Sequence, residues 1–186
     1  GFVRWPFDSG GLPPGQDLVH RQATCPGSCT SSALAEPIHV FASNLHMHYT
    51  GQKMYTEHFD AGGNDLGIHP AQRVDFFDNG FQQMTELADD EFVIRPGDEL
   101  QTHCWYNTKA RSREVPFGFS TKDEMCMNFV FYWPAQYKGT DTRGNPLRFA
   151  NCGLFAVDSN VPPFTICGGL SQAGGSDSIG GVINGG

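Results

Sequence analysis

Two histidines one residue apart, His46 and His48, are the part of this sequence best suited to chemistry. They lie in the run Ile38-His39-Val40-Phe41-Ala42-Ser43-Asn44-Leu45-His46-Met47-His48-Tyr49-Thr50-Gly51. If the run is a strand, alternate side chains share a face and the two imidazoles stand about 7 Å apart, close enough to converge on one ion. A His-x-His strand is half a metal site, and it needs further donors. By the same parity His39 falls on the opposite face, as a hydrogen-bonded core residue or one standing behind the ligands. His20, His58, His69 and His103 stand singly and read as ordinary histidines with local partners.

A second run supplies a donor of a different kind. In Asp123-Glu124-Met125-Cys126-Met127-Asn128-Phe129-Val130-Phe131-Tyr132-Trp133 a polar turn enters an apolar strand. Period two puts Met125, Met127, Phe129 and Phe131 on one face and Cys126, Asn128 and Val130 on the other. A methionine in such a strand is usually packing, and acquires interest only beside a histidine pair. Two imidazoles and a thioether make a soft site that suits Cu(I) and leaves a position open for a small molecule such as dioxygen. Zinc more often recruits cysteine, a third histidine or a carboxylate. A cupin-like or zinc hydrolytic site would need a carboxylate about four residues past the histidine pair, and Glu57 stands too far along.

The elements that must hold these side chains are short. Apolar or alternating runs bounded by Gly, Pro, Asn and Asp recur, and long 3.6-period stretches do not. Strands are expected near Gly1–Phe7, Ile38–Tyr49, Gln52–Phe59, Arg73–Phe76, Glu91–Ile94, Glu99–Tyr106 and Glu124–Trp133. Arg95-Pro96-Gly97-Asp98 reads as a turn between two strands, and Ala61-Gly62-Gly63-Asn64-Asp65 as a hairpin loop. The cadence predicts an all-β fold, an antiparallel, jelly-roll-like β-sandwich with little helix. Residues 1–167 are expected to form this domain. Strand patterning fades from Gly153, and residues 168–186, almost all Gly, Ser and small residues, read as a flexible tail or linker.

Composition sets the outer limits. At 186 residues the chain suits one domain. Its 39% hydrophobic content with 15 Phe is too rich for disorder, and no apolar run approaches the roughly 20 residues of a membrane span. With 12 Lys+Arg against 20 Asp+Glu, the net charge of -8 argues against nucleic-acid or anionic-membrane partners. The one basic cluster, Lys109, Arg111 and Arg113, reads as a solvated loop. Six cysteines with no Cys-x-x-Cys pair point to disulfides and an oxidising compartment, with fifteen connectivities open. The chain opens at Gly1 without a Met, which reads as a processed product or a fragment and says nothing against secretion.

Taken in order, four blocks resemble the C-terminal catalytic domain of the copper type II, ascorbate-dependent monooxygenases, above all their dopamine- and tyramine-hydroxylating branch. The blocks are Cys25–Cys29, the run from Ile38 to Lys53, the turn and strand from Pro96 to Thr108, and Asp123-Glu124-Met125-Cys126. The resemblance spans about Gly1 to Cys167. It implies that His46, His48 and Met125 hold one copper that binds dioxygen and hydroxylates an aliphatic C–H bond of a small-molecule substrate. It also implies disulfides Cys104–Cys126, Cys25–Cys152 and Cys29–Cys167, the first tying the methionine strand to its neighbour. Secretion, or residence in the secretory-pathway lumen, follows from the same likeness.

Departures from the family pattern carry information too. Family members draw electrons from ascorbate through a second copper held by three histidines in a preceding domain. This chain is too short for that domain and its remaining histidines form no matching set, so an additional copper domain or chain is an expected partner. The peptide-amidating branch holds a peptide carboxylate with residues that correspond here to Asn44, Met127, Phe129 and Phe131. That carboxylate clamp is missing, so these four read either as an apolar or aromatic substrate pocket or as packing. A different class of function is a secreted structural or interaction module that keeps the sandwich, with or without the copper site, and lacks catalysis.

Overall fold

The computed structural model describes residues 11–88 and 91–135, together with the short strands Phe2–Val3, Cys152–Phe155, Phe164–Cys167 and Leu170–Ser171. In chain order the strands are β1 (Phe2–Val3), β2 (Val19–Cys25), β3 (Ile38–His46), β4 (Gly51–Phe59), β5 (Asp65–Gly67), β6 (Arg73–Val74), β7 (Thr85–Glu86), β8 (Val93–Ile94), β9 (Glu99–Tyr106) and β10 (Met127–Trp133). They are followed by β11 (Cys152–Phe155), β12 (Phe164–Cys167) and β13 (Leu170–Ser171), and one short helix, α1 (Gly27–Ala33), follows β2. The chain is an antiparallel, disulfide-braced β-sandwich. One sheet runs β1-β10-β3-β7 with β8 also on β3, the other β2-β9-β4-β5 with β6 also on β4.

Alternation explains which residues lie between the sheets. On β10, Cys126 at its threshold, Asn128 and Val130 are buried, whereas Phe131 is exposed. On β2, Val19, Ala23 and Cys25 point in while His20 and Gln22 face solvent. Among the described residues the interior has two large apolar groups. One gathers Ile38, Val40, Ile94, Val130 and Leu100, and the other Met47, Met54, Cys104, Tyr106 and Cys126. Each fully buried large side chain contributes about 1.5–3 kcal/mol. Asn128 is a polar link between the sheets, its amide donating to Thr56 Oγ1 at 2.9 Å and to Gln72 Oε1.

The turns expected from sequence are present. Asp98 N–H donates to Arg95 O at 3.0 Å, and Gly97 adopts φ +97°, the conformation that favours glycine at this turn position. Asp60 and Asn64 close the hairpin loop between β4 and β5.

Several boundaries differ from expectation. β3 ends at His46 rather than Tyr49, and β10 begins at Met127 rather than Glu124. The strands expected at Arg73–Phe76 and Glu91–Ile94 shorten to two residues each. β2 has no counterpart among the expected strands, because its inward residues include the small Ala23 and the half-buried Arg21 rather than a clear apolar alternation. Of the strand expected at Gly1–Phe7, Phe2–Val3 pairs with β10, and residues 4–10 lie outside the described residues. Past Gly153, where strand patterning fades, β11, β12 and β13 nevertheless form a small antiparallel sheet, and β13 falls within the segment expected as a tail. The remainder of 168–186 lies outside the described residues.

Cys25 pairs with Cys152 and Cys104 with Cys126. Cys29 is also disulfide-bonded, and the side chain expected as its partner, that of Cys167, lies outside the described residues. In the chain-entropy account, a bridge closing a loop the length of that between Cys104 and Cys126 contributes about 3 kcal/mol.

Candidate metal centre

β3 and β10 run antiparallel with His46 opposite Met127 and Asn44 opposite Phe129. His46, Asn44, Met127 and Phe129 therefore share the face directed away from Asn128 and Val130. Met125 precedes β10 by two residues. It is buried with Met127 in a small apolar group that includes Phe117 and Phe129, and the Phe129 ring lies 6.1 Å from that of His46.

His48 reaches the site by a different route from the one period two suggests. The strand stops at His46, and the chain turns over Tyr49 and Thr50, with Gly51 N–H donating to His48 O at 3.1 Å. The turn packs so closely that a Cβ on Gly51 would stand 2.7 Å from Met47 Cβ. The two imidazole rings meet nearly perpendicular, centroids 5.1 Å apart. His48 Nδ1 lies 2.9 Å from the Asp123 carbonyl oxygen. A carbonyl can only accept, so Nδ1 carries the proton and is committed, an arrangement that leaves Nε2 as the nitrogen available to a metal, as in a metal-binding histidine fixed by an outer partner.

Glu124 joins the two halves of the site. Its buried carboxylate accepts the backbone N–H of His48 at 2.9 Å and of Met125 at 3.2 Å on Oε2. On Oε1 it accepts the N–H of Thr50 at 2.6 Å and the Thr50 hydroxyl at 2.8 Å. From the other sheet, the Tyr106 hydroxyl donates to Met125 O at 2.9 Å, and burial followed by the Glu124 charge pushes its pKa well above the usual value, so it remains a donor. Cys104, two residues before Tyr106, holds Cys126 through the disulfide. Glu124 and Tyr106 thus hold the main chain of Met125, and the disulfide holds its neighbour Cys126.

His46 has its pKa lowered by burial and then by His48, with Gln82 acting in the opposite sense. A neutral imidazole is the form that binds metal. Gln82 belongs to the strap between β6 and β7, which is tied to β3 where Asn44 Nδ2 donates to Gln83 O at 3.1 Å. The buried Glu124 carboxylate thus joins the main chain of the histidine turn to that of Met125, and a donor set of two nitrogens and one sulfur is of the kind that suits a soft metal. Among the described residues no three His, Cys, Asp or Glu side chains come together as a metal cluster, so the carboxylate-bearing alternatives gain no support.

Of the residues expected to meet substrate, Met127 is buried, Phe129 half-buried, and Phe131 exposed against Phe41 with ring centroids 6.5 Å apart. The other histidines have local partners: His58 with Asp98 at 2.8 Å, His69 with Glu91 at 3.3 Å, and His39 stacked on Trp133. His20 and His103, single in sequence, meet across β2 and β9 at 3.0 Å, and Glu57 takes the other nitrogen of His103 at 3.1 Å. Glu124, Thr50, Tyr106 and Gln82 carry no motif that marks them in the sequence. The only available signal was the position of Glu124 immediately before Met125.

A disulfide-braced sandwich with a His-x-His at the end of one strand and a methionine just before the strand beside it defines a class, and sequence comparison agrees with it. Residues 5–152 match the family model described as copper type II ascorbate-dependent monooxygenase, C-terminal domain. The chain belongs to this family of copper- and ascorbate-dependent monooxygenases. It is 34% identical over 128 residues to a tyramine beta-hydroxylase of Caenorhabditis briggsae, covering 69% of this chain and 21% of that protein. It is 36% identical over 127 residues to the human DBH-like monooxygenase protein 1, covering 66% and 20%. A dopamine beta-hydroxylase of Canis lupus familiaris is 35% identical over 124 residues, covering 66% and 19%. The chain thus spans about a fifth of the length of these relatives.

Proposed function

We propose that this chain is the copper-binding, substrate-hydroxylating half of a monooxygenase, with His46, His48 and Met125 holding one copper. The observation that carries the reading is the shared Glu124 Oε2, which fixes the main chain of His48 and Met125 from one buried atom. Copper bound there would supply dioxygen binding and the oxidation of an aliphatic C–H bond. The protein presents two imidazoles and a thioether, commits His48 Nδ1 to Asp123 O, and keeps Met125 in apolar surroundings. Asn44, Met127, Phe129 and Phe131 line the substrate side, where three apolar side chains favour a small apolar or aromatic molecule over a peptide carboxylate.

Electrons come from ascorbate through a second copper domain, on this chain's longer form or on a separate chain. Residues 1–167 are the working domain, extended by β13 at Leu170–Ser171, and the remainder of 168–186 serves as a linker. The disulfides suit the secretory-pathway lumen or the extracellular space. No helix among the described residues is long and apolar enough to cross a membrane.

Metal titration tests the reading. About one copper per chain is expected, with marked weakening in His48→Ala and Met125→Ile. Zinc bound in preference to copper and retained in Met125→Ile would defeat it. With ascorbate alone, few turnovers per copper are expected, and sustained turnover without a partner domain would remove the need for a second copper. A chain that binds copper but hydroxylates nothing when a partner domain is supplied would be a structural module.

A further inference from the structure

Asn79 and Gly80 form one of two Asn-Gly pairs in the chain, the other being Asn184-Gly185. They occupy the centre of a tight turn in the strap beside His46, closed by Phe81 N–H donating to Asp78 O at 3.0 Å. We propose that Asn79 is a deamidation site built into this strap, converted by water to aspartate or isoaspartate faster than its sequence alone dictates. The inference concerns the strap and stands whether or not the neighbouring histidines hold copper.

Deamidation at Asn-Gly begins with the glycine amide nitrogen attacking the asparagine side-chain carbon. Both groups that would assist that attack are in place. Gly80 N–H donates to Asp78 Oδ1 at 2.8 Å, so a carboxylate stands ready to take the proton as the nitrogen becomes nucleophilic. Gln82 Nε2 donates to Asn79 Oδ1 at 3.1 Å and to Asn79 O at 3.1 Å, which steadies the carboxamide and favours negative charge on its oxygen. The nucleophile belongs to a glycine, with no Cβ to crowd the approach, and Gly80 is exposed to water.

The step balances without a cofactor. The Gly80 N–Cγ bond forms, the Cγ–Nδ2 bond of Asn79 breaks, and the Gly80 proton passes through Asp78 to the departing nitrogen, which leaves as ammonia. Water then opens the cyclic imide at either carbonyl. Each product adds a negative charge, and isoaspartate also lengthens the main chain between the two points that fasten the strap. Those points are Phe77 N–H on Gln52 O, 2.8 Å, and Gln83 O on Asn44 Nδ2. Between them lies Gln82, so the lengthened strap would shift the side chain that faces His46.

The test is peptide mass spectrometry on the full chain held at neutral pH, following amide-to-acid conversion at residues 79 and 184, folded and in urea. The 79-to-184 ratio is expected to be about tenfold higher in the folded chain, modest beside the 10²–10⁴ of an optimised general acid–base pair. Asp78→Ala should return the folded ratio to the urea value. Gly80→Ala should stop conversion at 79 and leave 184 unchanged, since a Cβ there meets only Asp78 Oδ1 at 3.3 Å. A folded ratio equal to or below that in urea overturns the proposal without any variant. A raised ratio unaffected by Asp78→Ala overturns the role of the carboxylate and with it the assisted mechanism.

Discussion

Glu124 Oε2 accepts the backbone N–H of His48 across 76 residues of sequence, at 2.9 Å and buried from solvent. That contact ties the end of the histidine strand to the start of the methionine strand. The same carboxylate takes three further hydrogen bonds from Thr50 and Met125. Replacing it with an amide would turn one acceptor oxygen into a donor facing other donors. Glu124→Gln is expected to cost about 1.5–3 kcal/mol, the range for hydrogen bonds to a charged group, measured by urea denaturation. It should also weaken copper binding, because His48 and Met125 lose their common anchor. Unchanged stability and unchanged affinity would show that the turn holds itself.

Tyr106 acts on Met125 from the opposite sheet. Tyr106→Phe keeps the ring in its packing against Phe117 and removes only the donor to Met125 O. A loss of about 1–2 kcal/mol is expected in the same denaturation experiment. A loss near zero would mean that the freed carbonyl finds another donor.

Removing the bridge tests a different restraint. Cys104→Ala with Cys126→Ala is expected to cost about 3 kcal/mol through the unfolded chain, together with the lost packing of two fully buried sulfurs. Retained copper binding at low temperature would show that Tyr106 and Glu124 suffice to place Met125. Its loss in a folded double variant would assign that placement to the disulfide.

The solvent face of the second sheet carries a pH dependence of its own. His20 has its pKa lowered by partial burial, then by His103 and Arg21. Its rings lie coplanar with those of His103, consistent with an in-line N–H···N bond. Between the lowered folded value and the ordinary 6.5, the unfolded chain binds the proton and the folded chain does not. Stability from this group is therefore complete above about 6.5 and lost as pH falls through the folded value. An NMR titration should place the His20 midpoint below 6.5, moving upward in His103→Gln; a midpoint at or above 6.5 in the parent protein would contradict it.

Much of the fold was legible because alternation is a local property. Val40, Val130 and Leu100 announce strands whose inward face is apolar, and the Pro-Gly turn before β9 announces itself through glycine's positive φ. β2 escaped because burial of Ala23 and Arg21 depends on what the other sheet places above them. At the site, the histidine spacing suggests two side chains sharing one strand face, and the structure brings the two rings together by another route. His48 leaves the strand, and what aims it is a turn, the Asp123 carbonyl and Glu124. Glu124 could not be read, since a buried glutamate looks like any surface glutamate until the four donors around it are known. The meeting of His20 with His103 was likewise invisible, because it depends on the register of β2 against β9.

Copper X-ray absorption on the reduced, copper-loaded chain tests the central claim most directly. The account predicts two imidazole nitrogens and one sulfur at the metal, with the sulfur signal absent from Met125→Ile and one imidazole absent from His48→Ala. A spectrum without sulfur in the parent chain, or a sulfur signal that survives Met125→Ile, would contradict it.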